Sequence, residues 1–445
     1  MKLIYPLRLP YVLRLSYIVE KINFEIFMRI LWYANTPCLY KQNNAYNGGG
    51  WLTSLQSELM KEADVELAIA FFLDGEPEKI VDSGVTYYPI TRPKRNVLQK
   101  VWTTLFSRKT SFVEAECKLF PLYEDAIIRP LNDFHPDVVM VFGSEMPFGL
   151  VASLTKIPVV LHIQGVLTPY LNAYLPPFVS WKDYEKSALS LKSWLRRRTE
   201  LYRWQASVFR EREIFHRVKY YIGRTEWDRR VTQELSPNAE YFYGGEVLRP
   251  VFYEEAVRTI PQQLTIVTTI SSPLYKGYDL VLKTASLLQG KGVKFQWKCY
   301  GNIDPRTVEK IVDISHKDVN VELCGVATAE QLRNSLLSAT CYVHTSYIDN
   351  SPNSLCEAQI LGVTPVATYV GGVPSLILDG ETGYLVPSND PYQLSYVLEN
   401  LFNHPERNFT LGNAAREVAL KRHNKSKIVK DLLTTLHEIV VKSQK

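Results

Sequence analysis

Apolar residues in this chain fall in short, near-continuous runs separated by helix-length amphipathic stretches. In the first half the runs are RILWYA (29–34), VELAIAFF (65–72), VTYYPI (85–90), DVVMVF (137–142), PVVLHI (158–163) and VKYYIG (218–223). Strands covered on both faces lose the in–out alternation of a half-exposed strand, so such runs predict buried parallel strands with crossover helices. A second series starts near Gln263, with LTIVTTI (264–270), KFQWKCY (294–300), VNVELCG (319–325), TCYVHTS (340–346) and TPVATYV (364–370). GYDLVLKTASLLQGKG reads as one intervening helix, closed by Gly290. The tail from Pro405 reads as helix broken into pieces by Pro405, Gly412 and Asn424.

Two series of this kind predict an α/β chain of two doubly wound, Rossmann-like domains facing a cleft. A length of 445 residues also exceeds what one ordinary core fills. The expected boundaries are 28–255, 256–420, and a C-terminal helix over 421–445 left to pack back on the first domain. Residues 1–27 precede the natural first strand and read as a leader or upstream-start extension. Arg8, Arg14 and two prolines interrupt that segment well short of the roughly 20 apolar residues a spanning helix needs, so the other reading is an interfacial anchor. Ligands in open α/β sheets bind beyond the carboxyl ends of the strands. YNGGGW offers Gly48, Gly49 and Gly50 but not the third glycine of a dinucleotide fingerprint, which disfavours an oxidoreductase.

Charge adds a local feature. The net formal charge is only +5, which gives no sign of a nucleic-acid partner. Residues 181–230 alone hold 14 Lys/Arg against 7 Asp/Glu. Trp194, Leu195, Leu201, Tyr202 and Trp204 sit among those arginines, a pattern that suits peripheral contact with an anionic membrane surface and equally a solvated helix with core aromatics. Six scattered cysteines without a CxxC pair predict a reducing, cytoplasmic setting with neither disulfides nor a zinc site.

The chemistry concentrates in SYIDNSPNSLCEAQILGVTPVATYVGGVP (346–374). Ser351-Pro352 predicts an N-cap with proline at the first helical position, leaving the amides of Asn353, Ser354 and Leu355 without intrahelical partners. Helix dipole and free amides together make an anion site, with about half a positive charge at the tip. Asp349 precedes that tip and Glu357 lies about 7 Å further along the axis. Two acids flanking a phosphate cradle fit a molecule with hydroxyls at both ends and a diphosphate between them, the layout of a nucleotide-sugar.

CEAQILGVTPVATYVGGVPSLILDGETGYLVP (356–387) resembles the donor-binding signature of the retaining GT-B glycosyltransferases, especially glycosyltransferase family 4. The likeness covers about forty contiguous residues; the rest of the chain is similar in architecture. It implies a retaining hexosyltransferase that uses a nucleotide-sugar donor and a saccharide or lipid-linked acceptor, with no cofactor and no metal. By this resemblance Glu357 binds the ribose hydroxyls, and Asp349, in the place of the family's first glutamate, the transferred sugar. Gly371 and Gly372 let backbone approach closely. Lys276, in SSPLYKGYDLV, matches the lysine that neutralises the departing diphosphate. The family's preceding Gly-Arg is replaced by Ile270 and Ser271, so one expected cation is missing. Gly49 and Gly50 stand where the family has its Gly-Gly, and Gln164 fills the slot of a sugar-contacting histidine. His162 lies on the same strand face as Gln164 and, with Glu145, is an acceptor-side candidate. Gly325 completes the donor-side set. The rival readings are a GT-B epimerase and a catalytically weak relative that binds a sugar nucleotide or acts as a scaffold.

Overall fold

The structure, a computed structural model, describes residues 27–42, 50–75, 78–93, 109–259 and 261–444. Its first sheet contains β1 (Met28–Tyr33), β2 (Val65–Phe72), β3 (Ile80–Asp82), β4 (Val85–Ile90), β5 (Val138–Phe142), β6 (Val159–His162), β7 (Tyr220–Gly223) and β8 (Glu240–Tyr243). They lie in the order β3-β4-β2-β1-β5-β6-β7-β8, all parallel except β3, which is antiparallel to β4. The second sheet contains β9 (Leu264–Thr269), β10 (Phe295–Tyr300), β11 (Val321–Gly325), β12 (Cys341–His344), β13 (Pro365–Thr368) and β14 (Tyr384–Val386). Its order is β11-β10-β9-β12-β13-β14, parallel throughout.

Each predicted run is a strand. Three further strands, β3, β8 and β14, are short and lie at sheet edges, where only one neighbour and partial cover are available. Their sequences IVD, EYFY and YLV accordingly carry no long apolar run. Along β1, Ile30 and Trp32 enter the core on one face of the sheet while Leu31 and Tyr33 enter the core on the other. Strand order reverses between β1 and β5 in the first sheet and between β9 and β12 in the second. Such reversals splay the loops at the strand ends and open a crevice there.

The tail differs from expectation at Gly412. The helix Pro405–Arg422 runs through it unbroken, and a Cβ there would lie 2.1 Å from the carbonyl oxygen of Gly362. The glycine thus serves a close crossing rather than a break. The closing helix Lys425–Ser443 sets Ile428, Val429, Leu432, Leu436 and Ile439 into the first domain's core, against Trp32, Leu55 and Met140 among others.

The basic segment also resolves into structure. Helix Leu191–Arg217 turns two of its aromatics inward: Tyr202 stacks on Phe112 with centroids 5.9 Å apart, and Trp204 lies 5.1 Å from Tyr174. Tyr174 and Tyr184 are buried together with Leu274 and Tyr278, so this part of the first domain packs on the second. Among the described residues no helix is long and apolar enough to cross a membrane.

Leu436 is wholly buried between the closing helix and the first sheet. Leu436→Ala is expected to cost about 2–5 kcal/mol in urea denaturation. A loss below 1 kcal/mol would contradict the packing.

Candidate active site

Two loops at the second sheet's switch point supply most of the site. The loop after β9 runs from Ile270 to Gly277, where helix Tyr278–Gly290 begins. The loop after β12 runs from Thr345 to Pro352, ahead of helix Asn353–Ile360. Pro352 is the N-cap residue of that helix, with no side-chain cap. Ser351 is therefore not the cap; its hydroxyl donates to Glu246 at 3.1 Å. The amide of Leu355 donates to the Pro352 carbonyl at 3.0 Å and its side chain is buried, which removes Leu355 from the predicted cradle. The amides of Asn353 and Ser354 have no hydrogen-bond partner among the described residues.

Between the domains lies a cavity of about 600 Å³. Gln164, Gly50, Lys276, Ser271, Asn353, Ser354 and Glu357 line it. Asp349, His162, Glu145 and Gly325 do not reach it, and Gly49 lies outside the described residues. Val326 and Ala327, directly after Gly325, line it instead.

Three cations face this space, each held by a carboxylate. Lys276 pairs with Asp349, Arg224 with Glu246, and Arg249 with Glu357. The last pair is a two-pronged fork, Nε and Nη2 each 2.7 Å from a carboxylate oxygen. Burial alone would raise the carboxyl of Asp349, but the Lys276 ammonium and His344, whose Nε2 is 3.0 Å away, hold it well below the usual range. Burial likewise works against the Lys276 ammonium, and Asp349 more than offsets it. Burial pushes Glu357 up, opposed by Arg249. Tyr170, from the first domain, donates to Asp349 at 3.3 Å. With its amide nitrogen turned to Glu246, Asn353 donates to both carboxylate oxygens at 3.0 and 3.1 Å.

Asp349 thus grips the cation beside it rather than facing the cavity. The glycines behind it explain the turn. Gly371 has φ +51°, and a Cβ there would sit 1.9 Å from the Asp349 carbonyl oxygen. Their close approach is to the Asp349–Asn350 backbone. Asn350 then bonds the first domain, accepting from Thr225 at 2.6 Å and donating to Asp228 at 2.8 Å.

His162 packs against Trp51 and Phe142 in tilted ring contacts, with centroids 5.3 and 5.4 Å away. Burial, then the nearby Arg224, pushes its pKa down to about 3. It is a neutral core histidine whose Nδ1 lies 2.9 Å from the Gln164 amide, so it orients Gln164 toward the cavity. Ser354 is fixed by Thr269 and Tyr342, both at 2.7 Å. Among the described residues no group of three or more His, Cys, Asp or Glu is placed to hold a metal.

The chain is similar here to known proteins. Residues 261–404 match the family model "Glycosyl transferases group 1". They form a group 1 glycosyltransferase domain. The putative colanic acid biosynthesis glycosyltransferase WcaL of Salmonella typhimurium is 23% identical over 198 residues, covering 42% of this chain and 48% of WcaL. D-inositol 3-phosphate glycosyltransferase of Streptomyces avermitilis is 35% identical over 86 residues, 19% of this chain and 18% of that one. The matched stretches therefore span about half or less of these relatives. Sucrose-phosphate synthase of Thermosynechococcus elongatus superposes with TM-score 0.66 at 15% identity, over 93% of this chain and all of that one. HepE of Anabaena, in complex with UDP and glucose, gives 0.59 at 13% identity over 92% of this chain and 100% of its own. The fold is GT-B, as the glycosyltransferase signature implies.

Arg224, Glu246, Arg249, His344 and Trp51 escaped the sequence reading. Arg224 follows β7 directly and was legible as a strand-end residue. Glu246 and Arg249 follow β8, whose polar edge sequence concealed that YGGEVLRP is also a strand-end loop.

Glu145 sits behind this group with one carboxylate oxygen unpartnered, and burial foremost, with Glu211 nearby, raises its pKa to about 7. A carboxyl whose folded pKa lies above its unfolded one favours the native state at low pH and loses that contribution as pH rises through about 7. Glu145→Gln should leave the melting temperature near wild type at pH 5 and raise it at pH 8. An equal shift at both pH values would contradict this.

Proposed function

We propose that this protein transfers a hexose-type sugar, with retention at the anomeric carbon, from a nucleotide-sugar to a saccharide or lipid-linked acceptor in polysaccharide or glycolipid assembly. The observation that carries the reading is the meeting of Lys276 with the unpartnered amides of Asn353 and Ser354 at one interdomain cavity. The bond from the anomeric carbon to the diphosphate breaks with its electron pair on the phosphate oxygen. The acceptor hydroxyl forms the new bond on the same face and its proton ends on the released nucleoside diphosphate. Lys276 and the helix-tip amides stabilise the charge that develops on the leaving group, so the chemistry asks for no metal. Glu357 takes the ribose hydroxyls with the lone pairs that Arg249 leaves, and Gln164 contacts the sugar.

A second reading, a sugar-nucleotide-binding protein with little turnover, draws on Asp349 being spent on Lys276 and His344. Product formation separates the two. Assayed in EDTA, the wild type is expected to turn over and Lys276→Ala to lose about 10²–10³-fold in kcat. Folding is checked by the melting temperature of each protein. A folded Lys276→Ala variant at wild-type rate contradicts the assignment, and a wild type without product favours the second reading.

A lipid-linked acceptor would be met at a bilayer surface, and the segment 178–192 suits it. Phe178, Leu189 and Leu191 are 97, 53 and 74% exposed, beside exposed Lys182, Lys186 and Lys192. Phe178 also holds φ +68°, a costly conformation for a bulky residue. Exposed apolar side chains with lysines close by in the chain fit an anionic lipid surface. Flotation with phosphatidylglycerol vesicles should carry the protein upward, and replacing the three apolar residues by serine should abolish this. No flotation of the wild type would remove the membrane from the reading.

A further inference from the structure

The loop after β9 brings one cation to the cavity, Lys276, because Ile270 is buried in the core and Ser271 has only a hydroxyl. A leaving diphosphate carries more charge than one ammonium balances. We propose that Arg249 is the second leaving-group cation, delivered from the connection between the domains, and that Gly50 lacks a side chain in order to let it through.

Arg249 follows β8 and Glu246, and its aliphatic stem crosses the first turn of helix Gly50–Leu59. A Cβ at Gly50 would lie 3.0 Å from Cδ and 3.2 Å from Cγ of Arg249, tighter than ordinary contact. The guanidinium rests over the Phe252 ring, 4.8 Å from its centroid. Glu357 takes Nε and Nη2, which leaves Nη1 without a partner among the described residues. The side chain is 29% exposed and lines the cavity. Arg224 is the other candidate, but its side chain is only 7% exposed and its two terminal nitrogens are bound to Glu246 and the Gln164 carbonyl. It ties the first domain to the connection; Arg249 keeps a free edge. Glu357 then has two partners, the ribose and Arg249, and it fixes the guanidinium at the nucleoside side of the diphosphate.

This inference rests on the donor reading above, and calorimetry with UDP, GDP and the matching nucleosides tests the two apart. For whichever nucleoside diphosphate binds the wild type, Arg249→Gln is expected to weaken affinity about tenfold or more while nucleoside affinity holds. Arg249→Lys, which keeps the charge and loses the fork, should recover part of the loss. Gly50→Ala should weaken the diphosphate alone by displacing the stem, and it covers the case in which Arg249→Gln leaves Glu357 unpaired and does not fold. Arg224→Gln should weaken nucleoside and nucleoside diphosphate alike. Unchanged diphosphate affinity in Arg249→Gln, or in both Arg249→Lys and Gly50→Ala, overturns the inference and spares the donor reading. A wild type that binds neither UDP nor GDP overturns both.

Discussion

A positive charge at the edge of a protein interior is tolerable only with a negative one beside it. Taking a single ion out of water costs several kcal/mol even after the surroundings relax. This cleft holds three cations and three carboxylates in matched pairs, Lys276 with Asp349, Arg224 with Glu246 and Arg249 with Glu357. The pairing keeps the charges at the cavity without an anion bound, and it sets where each can point.

The same pairs tie the architecture to the site. Arg224 comes from the end of β7 in the first domain, Glu246 and Arg249 from the connection, and Glu357 from the second domain. Asn350, between Asp349 and Ser351, bonds the cap of helix Glu226–Leu235 across the gap. Relative placement of the domains and orientation of the cationic groups are therefore one problem, settled by one set of contacts. The closing helix adds to it, since it grows from the second domain and buries its apolar face in the first.

Most of the scaffold was legible because buried parallel strands announce themselves by continuous apolar runs. Where cover is one-sided, as at β3, β8 and β14, that signal fades. Losing β8 hid Glu246 and Arg249. Ser351-Pro352 and Glu357 mark the helix tip in the sequence but not its cap, since Glu246 takes the Ser351 hydroxyl from far along the chain. Strand period would put His162 and Gln164 on one face, but β6 ends at His162, and only packing against Trp51 and Phe142 shows which of them faces the cavity. The aromatic residues of helix Leu191–Arg217 look alike in sequence whether they meet lipid or Tyr174 and Phe112. Pairings between distant segments carry no local signature, and all three ion pairs of the site are of that kind.

The central claim is that an anionic diphosphate belongs at the tip of helix Asn353–Ile360, among these cations. A crystal structure with a bound nucleoside diphosphate tests it most directly. Phosphate oxygens are expected within hydrogen-bond distance of the Asn353 or Ser354 amide and of Lys276, with the ribose against Glu357. A diphosphate bound elsewhere, with the helix tip left bare, would contradict it.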